Sequence, residues 1–73
     1  MSTEEKAIRG AAEIGALYAL IIDLHRGEEL ENSISRLRAG MEKDLIGGSL
    51  KPEVKSAMGE MLDFVYRVNR EAK

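Results

Sequence analysis

His25 is the chain's single histidine, so it is the one side chain that ordinarily titrates near neutral pH. Work as a general base would need a positioned partner, and no Ser, Cys or Asp is placed by the sequence to be one. At the end of a helical stretch, His25 instead suits the negative end of the helix dipole. The chain contains no cysteine, which excludes disulfides and thiolate metal sites. A zinc site built on one histidine would have to rely on carboxylates, a poor set for structural zinc. The carboxylates are better spaced for chemistry. Glu28 and Glu31 form an E-x-x-E, and Glu60 and Asp63 form an E-x-x-D. On helices each pair would share a face, and two such pairs converging could hold magnesium.

The segment Glu60-Met61-Leu62-Asp63-Phe64-Val65-Tyr66-Arg67 resembles the E-x-x-D helix of MazG-type nucleotide pyrophosphohydrolases. In that family two such helices supply carboxylates to magnesium beside a nucleoside triphosphate. The resemblance covers this one helix turn and the separate E-x-x-E. It implies magnesium-dependent pyrophosphohydrolysis as an alternative function. The spacing departs from the family pattern. In a hairpin turning near Ser49, Glu31 falls level with about Arg67, and Glu28 lies beyond it. Glu60, Asp63, Arg67 and Arg70 also recur at intervals of three and four, as in a ladder of ion pairs worth about 0.2–0.5 kcal/mol each. We therefore expect no catalytic residue, metal or cofactor, and no enzyme.

Phosphate and nucleic-acid chemistry find little support. Gly47-Gly48-Ser49 precedes a helix but lacks the strand and glycine-rich loop that a P-loop requires. A DNA-reading helix brings Arg, Lys, Asn or Gln to base edges from its first turns. The third helix here opens with Pro52, Glu53, Val54, Lys55 and Ser56. Net charge is -2 with both signs interspersed, whereas phosphate backbones reward a basic excess. A DNA-binding regulator stands as an alternative function, and nucleic acid is not the expected partner.

The elements that would position these residues are helices. Ser2 with Glu5 three residues later makes a capping box, and Gly27 can end the helix that follows, giving a first helix over about 3–26. On a helical wheel Glu5, Lys6, Arg9, Glu13 and Asp23 fall within an arc of roughly 100°, with Ala16 and Leu20 among them. The remaining two-thirds or so of the circumference is apolar, well beyond the stripe an ordinary surface helix needs. Ala11, Gly15 and Ala19, with Ala12 one step round, form a ridge of small residues. Glycine inside a helix costs about 1 kcal/mol relative to alanine, so Gly15 is read as a place where another helix backbone passes close by.

Glu28, Glu29 and Glu31 open a second helix over about 28–46, with Leu30, Ile34, Leu37, Met41 and Leu45 as its stripe, Arg36, Arg38, Glu42 and Lys43 outside, and Gly47-Gly48 as its stop. Pro52 and Glu53 start a third over about 52–71. Its stripe is Val54, Met58, Met61, Val65 and Val68, widened by Ala57, Leu62 and Phe64. Arg67, Arg70 and Lys73 load its last turns. The short connection makes these two an antiparallel hairpin. Gly40 and Gly59 then lie level, a candidate close approach. The methionines at stripe positions are read as core filling.

With 73 residues the chain has room for one domain, residues 1–73, whose small core calls for oligomerisation or very regular packing. The acidic start MSTEEK is neither a signal nor a transit peptide, and no apolar run reaches the roughly 20 residues of a bilayer span. The expectation is an all-α, three-helix protein, a long central N-terminal helix plus an antiparallel hairpin, assembling as a helical-bundle dimer or a higher even oligomer. Ala11, Gly15, Leu17, Tyr18, Ala19, Ile22 and Leu24 would form the oligomer interface. Leu20 and Tyr66, outside the main stripes of their helices, would meet a further protein partner. Such a chain would act in the cytoplasm as a non-enzymatic interaction module, an adaptor, regulator or stoichiometric inhibitor.

Overall fold

Two aligned helix ends explain how the chain turns back on itself after its first segment. In the computed structural model, which describes residues 2–43 and 50–72, α1 spans Thr3–His25. The Ser2 hydroxyl accepts a 3.1 Å hydrogen bond from the Glu5 backbone N–H, satisfying one of the donors left over at a helix start. At the other end Gly27 adopts φ 92°. Its N–H donates to the Leu24 carbonyl and that of Glu28 donates to the Asp23 carbonyl, both at 3.0 Å. These are the two hydrogen bonds of a Schellman ending, which needs a left-handed residue where glycine stands.

Helix α2 spans Leu30–Glu42 and α3 spans Pro52–Ala72. The second helix begins two residues later than expected, because Glu28 is still engaged in closing α1. Its expected continuation through Leu45 to residue 46, the Gly47-Gly48 stop and the turn at Ser49 lie outside the described residues, as does Lys73. Leu30 lines a groove with Val68 and Asn69, while Arg38 pairs with Asp63, so α2 and α3 run antiparallel. Arg9 pairs with Glu60, and Leu24 borders a depression with Asn69, so α1 and α3 run in the same direction. No helix of the described residues is long and apolar enough to cross a membrane.

The core consists of Ala16, Leu20, Ile34, Met41 and Leu62, with Leu30, Leu37, Met58, Met61, Val65 and Tyr66 packed against it. Of the expected α2 stripe, Leu30, Ile34, Leu37 and Met41 lie in or against the core, as do Met58 and Met61. The stripe of α3 is displaced: Ala57 and Leu62 are its fully buried residues, and Val68 and Phe64 face solvent.

The larger correction concerns α1. Its contact with the hairpin is made by Ala12, Ala16 and Leu20, flanked by Arg9 and Asp23, which form ion pairs to the hairpin. This is the arc that charge had marked as the outer side. Leu20, expected to face solvent and meet a partner, is 2% exposed and sits in the core. The physical reason is size. The buried positions of all three helices include small residues, Ala12 and Ala16 on α1, Ser33 and Gly40 on α2 and Ala57 on α3, and small side chains let backbones approach while Arg9 and Asp23 pair across the seam. Tyr66 is half-buried against the core, and its hydroxyl accepts a 2.8 Å hydrogen bond from Arg70.

Candidate functional site

Turning α1 to the hairpin by its small-residue arc leaves its bulky residues on the opposite side. Ile14, Leu17, Tyr18, Ile21, Ile22 and Leu24 are between 36% and 63% exposed, with Tyr18, Ile21 and Ile14 the most exposed. Ala7, Ala11 and Gly15 lie among them and are exposed as well. From Ala7 to His25 the only charged residues are Arg9, Glu13 and Asp23, and all lie on the hairpin side or its edge. The outcome is an uncharged apolar face on the outer half of a helix, an inversion of the usual surface pattern.

That face has an internal order. Ala7, Ala11, Ile14, Tyr18, Ile21 and His25 follow one another at steps of four, three, four, three and four, the spacing of a seam between two helices. Gly10, Leu17 and Leu24 flank it on one side, and Ile8, Gly15 and Ile22 on the other, each at steps of seven. A side chain added at Gly10 or Gly15 would meet nothing within 4 Å. The close approach expected at Gly15 is therefore not made within this chain, although each helical glycine costs about 1 kcal/mol relative to alanine. Gly59 likewise has nothing within 4 Å, so the expected close approach at the level of Gly40 and Gly59 is not seen at Gly59.

Of the residues expected at the oligomer interface, Ala11, Gly15, Leu17, Tyr18, Ile22 and Leu24 share this exposed face, and Ala19 sits at its edge, half-buried toward the hairpin. Sequence reasoning left Ile14 and Ile21 out of the interface, although both are exposed on this face. Their alternating steps with Ala11, Tyr18 and His25 were the available signal.

Beyond Leu24 lies a largely polar depression lined by Glu28, Glu29, Glu31, Leu30 and Asn69. Leu30 and Asn69 also border a shallow groove of about 310 Å³ completed by Phe64, Val65, Val68 and Ala72.

Among the described residues the carboxylates of Glu28, Glu60 and Asp63 are taken up by ion pairs. Glu60 accepts from Arg9, Asp63 pairs with Arg38, and Glu28 accepts from Arg36 at 3.3 Å. The ladder expected along α3 is thus replaced by pairs that tie α3 to α1 and α2. Among the described residues no group of His, Cys, Asp or Glu is placed to hold a metal ion. The residues present do not fit the magnesium site that the family resemblance implied, because each bonded carboxylate already faces a guanidinium. Glu60, Asp63, Tyr66 and Arg67 do line an open depression of about 400 Å³, a charged surface without a converging acid–base set.

Electrostatics concentrate at the α1–α2 contact. The Asp23 carboxylate accepts from the Ser33 hydroxyl and from Arg36, each at 2.6 Å. The Ser33 hydrogen bond first, and then Arg36, hold the Asp23 carboxyl below the usual carboxylate value, and Asp23 raises Arg36 in return. At the far end of α3 the Tyr66 hydroxyl raises Arg70, whose guanidinium lies 5.6 Å from the Tyr66 ring centre. Compared with protein-family models, with characterised proteins and with solved structures, the chain matches none.

Proposed function

We propose that this chain is a non-enzymatic helical interaction module that works as a homo-oligomer in the cytoplasm, as an adaptor, regulator or stoichiometric inhibitor of another protein. One observation carries the reading: the outer half of α1 is apolar, uncharged and exposed from Ile14 to Leu24. Taking about 200 Å² for a fully exposed large side chain, the six bulky residues present roughly 600 Å² of surface. That is the upper end of what monomers ordinarily leave uncovered. Two such faces together would bury roughly 1,200 Å², enough for a stable pair. Support also comes from Arg9, Arg36 and Arg38, which are engaged by carboxylates and so are poorly disposed to grip phosphates.

The test is sedimentation equilibrium on the native chain and on an Ile14→Glu/Ile21→Glu variant. The native chain should sediment as a dimer or larger even assembly, and the variant as a monomer that keeps its helical circular dichroism. A native chain that stays monomeric at all concentrations overturns the proposal.

A further inference from the structure

We infer that the apolar face of α1 is covered by the same face of a second copy, the two helices running antiparallel with Ile14 of one subunit level with Tyr18 of the partner subunit. This rests on the homo-oligomer reading above and specifies its geometry.

The seam from Ala7 to His25 repeats at the average step of three and a half residues that keeps two helices in contact along their length. A flat protein surface would impose no such repeat. The order of sizes along the seam selects the direction. Antiparallel alignment about the level of Ala16 sets Ala7 against His25 of the partner subunit, Ala11 against Ile21 of the partner subunit, and Ile14 against Tyr18 of the partner subunit. Each layer then combines a smaller with a larger side chain, as even packing requires. Parallel alignment would stack alanine on alanine at Ala7 and Ala11 and tyrosine on tyrosine at Tyr18, leaving a gap and then a bulge.

The flanks agree. Near the twofold axis, Gly15 would approach Gly15 of the partner subunit, which gives the two glycines a use that the lone chain lacks. Gly10 would receive Leu24 of the partner subunit. The helix dipoles would oppose, which favours the arrangement further. An uncharged face finds its best complement in another uncharged face, and the roughly 1,200 Å² that two copies bury meets what a stable pair needs.

The chain has no cysteine, so introduced thiols report pairing cleanly. Ala7→Cys and His25→Cys, both at exposed positions, are purified singly, checked for native helicity, then refolded alone and as an equal mixture under oxidising conditions. The inference expects a mixed disulfide between the two variants as the dominant product and little covalent dimer from either alone. Two copies of residue 7 would stand about 27 Å apart along an antiparallel pair, beyond the reach of a disulfide. A second mixture, Ala11→Cys with Ile21→Cys, fixes the register in the same way. Efficient disulfides within each single variant would mean a parallel pair and overturn the inference. A sedimenting dimer that cross-links in neither mixture would also overturn it, placing the interface elsewhere while the homo-oligomer reading stands. A native chain that is monomeric throughout removes both.

Discussion

Asp23 of α1 accepts a 2.6 Å hydrogen bond from the hydroxyl of Ser33 on α2, and Ser33 has no solvent exposure at all. The contact joins the last turn of α1 to the first turns of α2 in its ionised form, since the carboxylate is the better acceptor. The folded state therefore binds a proton at Asp23 less readily than the unfolded chain does. Stability from this contact is fully present above the ordinary carboxylate value of 3.8 and is lost as pH falls through the lower, folded-state value. Asp23→Asn should lower the melting temperature at neutral pH. The difference from the native chain should shrink toward about pH 2. Thermal melts across that range check it, and a difference that does not change with pH would assign the effect to packing alone.

Leu20 and Leu17 make a paired test of which arc of α1 holds the fold. Leu20→Ala should cost about 2–5 kcal/mol, the usual range for a buried leucine. In the monomeric Ile14→Glu/Ile21→Glu background, Leu17→Ala should stay within about 0.5 kcal/mol, as exposed positions do. Urea titrations of the two variants settle the comparison. Equal losses would mean that α1 sits on the hairpin by a different face.

Asp63 and Arg38 form an exposed pair, with side chains 58% and 39% accessible. Asp63→Ala should change stability by no more than about 1 kcal/mol. Millimolar magnesium should leave the melting temperature of native chain and variant alike unmoved, since ligands shift it only by binding the folded state. A magnesium-dependent rise that disappears in the variant would restore the carboxylates as a metal site.

Gly15→Ala should act in opposite directions in two settings. In the Ile14→Glu/Ile21→Glu monomer the added methyl meets open space, and the better helix former should add up to about 1 kcal/mol. In the native chain the same methyl should weaken dimerisation, read as a higher dissociation constant by sedimentation. Unchanged affinity would show that the helices do not come close at that point.

The elements of this fold were legible because each signal was local. Ser2 with Glu5 marked one helix end, Gly27 another and Pro52 a third, and each is set by residues within a few positions of it. The orientation of α1 was not legible, because hydrophobicity was the wrong guide to which arc would be buried. Ala12 and Ala16 carry little apolar surface, yet both are buried, because small side chains let helices pack closely and nothing in a wheel weighs closeness of approach. Placing Leu20 outside followed from that single omission. Arg9, Arg36 and Arg38 were read as outward charges for the same reason. Their carboxylate partners on other helices become visible only once the packing is known.

The two arcs of α1 divide its labour without sharing a residue: Ala12, Ala16, Leu20 and Asp23 face inward, and Ile14, Tyr18 and Ile21 face outward. Substitutions can accumulate on one arc without disturbing the other. Under the pairing proposed above, a duplicated copy of such a chain could drift along Ile14, Tyr18 and Ile21 until it no longer recognised its parent, while folding as before. Insulated families of look-alike subunits are within easy mutational reach of this architecture.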